Sequence, residues 1–458
     1  MKSFFEKGLN IKFANLFVVF ILIIILLFQR YYFRNVFIIL SVLFTFFNIM
    51  FFFMGKKMTL NLTTLVLRIT GFLRFMVIPI IMSIENIYVD ERISYIMCVE
   101  IIVQYITVII FFINEHKFGN GYVQNNMWLG SMTFVLNRYF IVTIIVIGTI
   151  LVSKYNIFFI QYFILSLNKP PVDGINNVVM IILNLYFLVL YLTCVLFIKK
   201  IPFIPDSLKI FFSILVSIIY INGRAISNNN ISRWTLLVSL ILIIYILSII
   251  YNKYKKLLIS YLLPLLTVLS IVSGTAIKVL ISKKGIQPSY EESLLSVVSY
   301  KSLNAYFSGP TNVSIALDLA SKVKLGIMGK IQIFLTDLFL NFPLLNKIFD
   351  DSNSSFKLFN RYIYKSDIAS DQIIPLFAQL NLSLGIVGIF IYVLVLFISL
   401  TSSQKIKKSS NVFELFCFLN IAFYFALVNC INMTIMFQII WITILPVFIM
   451  LKLNLKWG

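Results

Sequence analysis

Long apolar runs separated by short polar gaps make up most of this sequence. Most runs are about 17 to 25 residues long, enough for a helix to cross a hydrocarbon core of roughly 30 Å. The strict polar and apolar alternation of a transmembrane barrel is absent. The pattern therefore predicts an all-α polytopic membrane protein with about twelve transmembrane helices. The predicted spans are residues 13–28, 36–54, 62–84, 93–113, 132–153, 178–198, 208–222, 234–251, 257–280, 373–400, 412–431 and 433–451.

The composition agrees with this pattern. Of the 458 residues, 60% are hydrophobic and 12% are charged, and the mean hydropathy is +0.98. These values lie outside the range of soluble domains. The formal net charge is +21, but the cations occur in the gaps between apolar runs, where anionic lipid headgroups explain them. We therefore expect the lipid membrane as a partner and no nucleic acid.

Lysine and arginine are distributed differently between the predicted loops. With a cytoplasmic amino terminus, one set of alternate loops carries many lysines and no arginine, as in "NKYKK" (252–256) and "QKIKK" (404–408). The opposite loops carry fewer cations, among them Arg224 and Arg233 in "YINGRAISNNNISRW" (220–234). The positive-inside rule then predicts a multi-pass protein of the cell membrane, with both termini cytoplasmic and the 222–233 loop outside.

The arginines in the outward loops are candidates for recognition of a substrate. The planar guanidinium of arginine binds phosphate oxygens through two parallel hydrogen bonds, whereas lysine is a compact point charge. An exposed loop arginine is equally well explained by contact with water or a lipid headgroup, so both readings stay open.

One predicted loop, residues 282–372, is much longer than the others. Loops of this length in a compact protein usually carry secondary structure of their own. Helical spacing of apolar residues in "SIALDLASKVKLGIMGKIQIFLTDLFLNF" (314–342), after a turn at 306–313, predicts a folded extracytoplasmic cap. We therefore divide the chain into helices one to nine (1–281), the cap (282–372) and helices ten to twelve (373–458).

Charged residues inside the spans are candidates for function because they are costly in hydrocarbon. Arg74 lies near the middle of span three, so we expect it to face the protein interior or a water-filled cavity. Pro79, one turn later, would open the backbone beside it. Glu100 in span four is the residue that would neutralise a buried arginine, whereas Arg68 and Arg138 lie close enough to span ends to reach the interface.

The sequence lacks the residues that several kinds of catalytic chemistry require. The one histidine, His116, falls in a predicted cytoplasmic loop, and the four cysteines show no metal-ligand spacing. There is no P-loop for nucleotide hydrolysis and no DxD pair for a metal-bound nucleotide sugar in the long loop. We therefore expect no metal and no cofactor, and an activated substrate that arrives by the membrane.

Four stretches resemble the oligosaccharide repeat-unit polymerase (O-antigen polymerase) family of bacterial envelopes, and they occur in the family's order. They are "FLRFMVIPIIMSIENIY" (72–88), "INGRAIS" (221–227), "YFSGPTNVSIAL" (306–317) and "SDQIIPLFAQLNLSLGIVGIF" (370–390). The number of spans and one long late outer loop are similar too.

The resemblance implies a lipid-diphosphate-dependent glycosyltransferase. It would transfer the growing glycan from undecaprenyl diphosphate to a lipid-linked repeat unit on the outer face, in O-antigen or capsule synthesis. On this reading Arg224 and Arg361 are the catalytic residues, because arginines would stabilise the departing diphosphate. The substrate-binding set is Arg74, Arg233, Tyr290, Tyr306, Tyr362 and Asp371, with the tyrosines stacking on sugars. Partners would include the flippase and the chain-length regulator of the same pathway.

Other functions remain open. A lipid-linked oligosaccharide flippase has a similar number of spans, but it would have short loops throughout. A secondary transporter would show broken helices in two related halves, and no repeat is evident here. Ligases resembling this family use an external histidine, which this sequence lacks.

Overall fold

The computed structural model of the protein consists of helices and the turns between them. The description covers residues 37–54, 61–85, 87–118, 138–155, 177–227, 233–262, 300–323, 326–343, 345, 348–349, 351–365, 372–406, 408–409 and 411–457. Within these ranges no β-strand occurs. The first half contains α1 (Ile38–Met54), α2 (Leu62–Ile84), α3 (Arg92–Phe118), α4 (Arg138–Lys154), α5 (Asn177–Lys200), α6 (Asp206–Ser227) and α7 (Arg233–Ile250).

The second half contains shorter helices followed by long apolar ones. They are α8 (Tyr300–Phe307), α9 (Pro310–Lys322), α10 (Ile327–Phe339), α11 (Ser355–Tyr364), α12 (Leu376–Leu384), α13 (Gly388–Ile406), α14 (Val412–Ala426), α15 (Met433–Ile439) and α16 (Leu445–Trp457).

Five stretches of the described chain are long and apolar enough to cross a membrane. They are Leu62–Ile84, Arg92–Asn114, Val178–Lys200, Leu376–Ile406 and Met433–Leu453. Four shorter apolar helices accompany them within α1, α4, α7 and α14. The prediction of an all-helical membrane protein is confirmed, and span three has the predicted bounds. Span one and most of span nine lie outside the described residues.

Three helical stretches contain a wider π-helical turn, and each ends two residues before a proline. The turns are Leu73–Val77, Leu258–Leu262 and Ile440–Ile444, and Pro79, Pro264 and Pro446 follow them in the sequence. Proline has no amide hydrogen and its ring clashes with the preceding turn, so the helix widens ahead of it. In α2 the carbonyl oxygen of Phe75, four residues before Pro79, accepts a hydrogen bond of 3.2 Å from the Ser41 hydroxyl.

The long helices pack in two connected sets. In the first, α13 packs along α14, α3 packs against α1 and α13, and α2 packs against α14. In the second, α5 lies between α4 and α6, and α6 contacts α7. The sets meet where α5 contacts the π turn Ile440–Ile444 and where α7 contacts α14.

The turn between α14 and α15 is fully buried, although its backbone is not helical. All six residues, Leu427 to Asn432, have at most 2% of their surface exposed. Asn432 caps α15 by accepting a hydrogen bond of 3.0 Å from the amide of Ile435. Irregular backbone of this kind is tolerated near hydrocarbon because other protein groups surround it.

Residues 300–365, which we call the short-helix region, pack against these long helices. α8 contacts the second half of α2, α9 contacts α3 and α12, and α10 contacts α12 and α15. The turn between α8 and α9 requires Gly309, because a Cβ atom there would lie 2.7 Å from Asn304 Oδ1 and 3.0 Å from Ile78 Cγ2. The helix predicted at 314–342 is present, but it begins earlier and is two helices, α9 and α10.

The loop predicted at 222–233 is wrong in its first six residues, and residues 228–232 lie outside the described residues. The helix α6 continues to Ser227 and α7 already begins at Arg233, so "NGRAIS" is helical. No proline interrupts this stretch, and alanine and arginine favour helix. Arg224 therefore lies in the last turn of α6, where a cation complements the helix dipole.

Candidate functional site

The most buried charges of the described chain form an ion pair between two candidate membrane spans. An Nη2 atom of Arg74, on α2, lies 2.8 Å from Oε2 of Glu100, on α3, and the side chains are 0% and 1% exposed. Arg74 projects from the π turn Leu73–Val77. The expectations that Arg74 faces the protein interior and that Glu100 neutralises it are confirmed.

Neighbouring polar groups on α3, on α13 and in the buried turn before α15 extend this ion pair through hydrogen bonds. Tyr392 on α13 donates a hydrogen bond of 3.2 Å to Glu100 Oε1, and Arg74 Nη1 donates one of 3.3 Å to the carbonyl oxygen of Asn429. Gln104 donates to the Tyr392 hydroxyl at 2.5 Å.

The Asn429 side chain makes further hydrogen bonds, which link the buried turn to α2 and α3. Its Oδ1 accepts a hydrogen bond of 2.8 Å from Gln104, and its Nδ2 donates one of 3.1 Å to the Thr70 hydroxyl. We call this set the Arg74 network. Its members are Thr70, Arg74, Glu100, Gln104, Tyr392 and Asn429, and each is at most 5% exposed. It joins α2, α3, α13 and the buried turn before α15.

The Arg74 network has the geometry of a structural contact between helices and not that of an accessible binding site. One Arg74 atom, Nε, has no hydrogen-bond partner in the described chain. Because the guanidinium has no exposed surface and its charge is balanced by Glu100, a diphosphate cannot reach it in this conformation. Arg361, in contrast, is exposed on α11. The resemblance implies that both arginines serve one substrate, and in this structure only Arg361 is accessible to it.

A second buried cluster attaches the short-helix region to the long helices. Asp337 on α10 accepts three hydrogen bonds: 3.0 Å from the Ser355 amide, 3.3 Å from the Thr434 hydroxyl and 2.9 Å from Gln379 Nε2. We call these four residues the Asp337 cluster. They come from α10, α11, α12 and α15, so one carboxylate joins four helices.

The environment of Asp337 combines opposing effects. Burial raises its pKa to about 6, although the hydrogen bonds from Ser355, Gln379 and Thr434 act in the opposite direction. Ser355 is the first residue of α11, and a carboxylate at a helix N-terminus is favourable. Gln379 also donates to the Ser355 hydroxyl at 2.7 Å and accepts from the Met433 amide at 2.8 Å.

Sequence reasoning missed the Asp337 cluster, because Asp337 lies in the long predicted loop, where a carboxylate is ordinarily exposed to water. A signal was present in the sequence. Asp337 is the only acidic residue in the apolar stretch "IQIFLTDLFLNF" (331–342), and an isolated acid in such a helix is costly unless a partner meets it.

The described part of the short-helix region also carries accessible charged groups. Lys322 Nζ lies 2.9 Å from Asp318 Oδ2 and 2.5 Å from the Tyr362 hydroxyl, which donates to the same carboxylate. These hydrogen bonds lower the pKa of Asp318. Arg361, one residue before Tyr362 on α11, is exposed on the same helix.

The remaining predicted site residues are only partly described. Tyr306 on α8 and Tyr362 on α11 are half-buried on different helices. The backbones of Arg224 and Arg233 are helical, and their side chains lie outside the description. Tyr290 and Asp371 also lie outside the described residues. Of the predicted set, Arg361 and Tyr362 lie on the same helix, and Arg361 is exposed whereas Arg74 is fully buried.

Metal ligands do not cluster in the described part of the chain: no group of three His, Cys, Asp or Glu side chains is close enough to hold an ion. Comparisons with protein families, with curated proteins and with solved structures find no match to this chain. The fold and the two buried clusters thus define a helical membrane protein with charged residues between its spans.

Proposed function

We propose that this protein is a repeat-unit polymerase of the cell membrane. It would transfer a growing glycan from undecaprenyl diphosphate to a lipid-linked repeat unit. The proposal includes about twelve spans, cytoplasmic termini and residues 282–372 on the outer face. It rests on the sequence resemblance and on one structural observation.

That observation is the way in which the long loop folds against the spans. Residues 300–365 are mostly helical, and the Asp337 cluster fixes them to α12 and α15. A loop held in this way presents its surface groups in fixed positions, which catalysis by electrostatic stabilisation requires. A flippase with short loops would not need such a region.

Arg361 is the residue of this region best suited to a diphosphate. It is exposed on α11 and lies beside Tyr362, and a guanidinium binds two phosphate oxygens at once. The departing diphosphate gains negative charge as the glycosidic bond breaks, so a fixed cation lowers the barrier. We assign Arg224 to the same task from the sequence resemblance. Arg74 is removed from the diphosphate site, because Glu100 already holds its guanidinium.

The test is a reaction with purified protein in detergent and a lipid-diphosphate oligosaccharide, scored for a ladder of longer glycans. We expect Arg361→Ala to reduce the rate roughly ten- to hundredfold, since a hydrogen bond to a charged group contributes about 1.5–3 kcal/mol. Lys357→Ala, on the same helix and with Lys357 paired to Asp351 at 3.4 Å, is the matched control. An unchanged ladder with Arg361→Ala would remove Arg361 from the site.

A lipid-linked oligosaccharide flippase is the second candidate. The Arg74–Glu100 ion pair favours this second function, because charged residues inside the membrane also occur along transport pathways. The same purified protein in vesicles separates the two functions. Lipid-linked sugar that crosses the bilayer at unchanged length favours the flippase, whereas elongation favours the polymerase.

A further inference from the structure

The helix α10 has an unusual distribution of polar and apolar side chains. Its buried residues include Thr336 and Asp337, whereas Ile327 is 79%, Met328 is 81% and Ile331 is 41% exposed. Thr336 and Asp337 thus point into the protein beside Ile333, whereas the outward side carries Ile327, Met328 and Ile331 together with Gln332. In a water-facing helix the arrangement is the reverse.

The neighbouring helix α11 follows the ordinary arrangement. It buries Phe359 and Asn360 against the protein and exposes Arg361. Both helices belong to the short-helix region and contact each other. The reversed polarity is therefore a property of α10 and not of the whole region.

The carboxyl end of α10 lies against a candidate membrane span. The indole nitrogen of Trp441 donates a hydrogen bond of 2.7 Å to the carbonyl oxygen of Leu338. The Trp441 ring stacks on Phe339 at 5.8 Å between centroids and meets Phe342 edge-on at 5.0 Å. These contacts continue the apolar surface of the span Met433–Leu453 onto α10.

Trp441 also indicates the depth of these contacts. It lies eight residues inside the span that begins at Met433, which is roughly 12 Å along a helix. Side chains on a helix tilt toward its N-terminus, so the Trp441 indole lies closer to Met433 than its own Cα atom does. Leu338, which the indole contacts, therefore lies about one helical turn or more into the membrane from the Met433 end. Half of a hydrocarbon core is about 15 Å thick, and the end of α10 is within it.

We propose that α10 is embedded in the bilayer, in the leaflet at the Met433 end of this span. Its outward face of Ile327, Met328 and Ile331 contacts lipid hydrocarbon chains, and α11 stays in water. The inference does not depend on the polymerase proposal. It revises the expectation of a cap lying wholly outside the membrane, because one helix of residues 282–372 would lie among the lipids.

Site-directed fluorescence quenching in vesicles tests this placement. Single cysteines replace Met328 and Ile331 on α10, and an environment-sensitive dye is attached to each. Of the native cysteines, Cys98, Cys417 and Cys430 are buried and Cys194 is partly exposed, so the background carries Cys194→Ala. Phe390, 73% exposed on the candidate span Leu376–Ile406, serves as the lipid control, and Lys357, whose side chain is 34% exposed on α11, serves as the water control.

We expect dyes at 328 and 331 to behave as the dye at 390 does. Spin-labelled phospholipid should quench most of their fluorescence, and aqueous iodide should quench little; the dye at 357 should show the opposite. Quenching by iodide at 328 and 331 to the extent seen at 357 would place α10 in water and overturn the proposal. If neither agent quenches the dyes at 328 and 331, protein covers this face, either another segment of the chain or a second copy. That result would also overturn the proposal.

Discussion

Two ion pairs in this protein have almost the same length and opposite surroundings. Arg74 and Glu100 approach to 2.8 Å and are 0% and 1% exposed, while Lys322 and Asp318 approach to 2.9 Å and are 60% and 45% exposed. An exposed pair is screened by water and gains little from its contact. A buried pair has lost its hydration, so each charge depends on the other. The distance alone therefore does not measure the importance of a pair.

The comparison extends to the function of the two pairs. The Arg74 network uses its charges to hold four parts of the fold together, and its charged groups are inaccessible. The pair in the short-helix region is accessible and contacts Tyr362, on the helix that also exposes Arg361. Contact with a diphosphate requires accessible cations, so the exposed surface is the better candidate for binding.

Removing one charge of the buried pair should have the largest effect. Glu100→Leu leaves the Arg74 guanidinium buried without its counter-charge, which costs about 3–5 kcal/mol. We expect a large fall in the thermal unfolding temperature of the purified protein in detergent.

The double variant Arg74→Met with Glu100→Leu is the control for this prediction. Replacing a whole buried pair by apolar residues is often neutral, so most of the lost stability should return. Equal instability of the single and double variants would mean that cavity formation, and not the unpaired charge, caused the loss.

The Asp337 cluster is also buried, and its contribution to stability should depend on pH. The pKa of Asp337 is raised from 3.8 to about 6, so the folded protein binds the proton more tightly than the unfolded chain. The contribution of Asp337 to stability is then greatest below about pH 4 and falls by roughly 3 kcal/mol as the pH rises through about 6. The measurement is the unfolding temperature between pH 4 and pH 8.

Asp337→Asn isolates this contribution because an amide does not ionise. The pH-dependent loss between about pH 4 and pH 6 should be smaller in the variant than in the wild type, even though other carboxylates still titrate. Identical profiles for the two proteins would show that Asp337 does not control this transition.

A smaller effect is expected from the neutral part of the Arg74 network. Asn429→Ala leaves Thr70 and Gln104 each without one buried hydrogen-bond partner, at a cost of about 1–3 kcal/mol. The backbone carbonyl that Arg74 contacts is kept. The loss in unfolding temperature should therefore stay below that of Glu100→Leu, and a greater loss would assign the network's main role to Asn429.

The exposed pair should show the smallest effect. Lys322→Ala removes an interaction that water already screens, so the unfolding temperature should not change measurably. A shift as large as that of Asn429→Ala would show that Lys322 supports the fold, and the contrast between buried and exposed pairs would fail.

Sequence reasoning was most successful where hydrophobic length or the cost of a buried charge decides the outcome. The bounds of α2, the interior position of Arg74 and its neutralisation by Glu100 follow from hydrophobic length and the cost of an unpaired charge. It failed at Arg224, because a short polar stretch between apolar runs resembles a loop, while its residues are able to continue a helix.

The amino-acid sequence by itself determined the helical membrane class and the positions of the π turns, because backbone hydrogen bonds in hydrocarbon and proline's missing amide act locally. Only the tertiary structure decided that Asp337 meets Ser355, Gln379 and Thr434, and that α10 turns its apolar face outward. These contacts join residues up to 97 positions apart. Such pairings depend on how helices pack in space, and no periodicity within one helix specifies them.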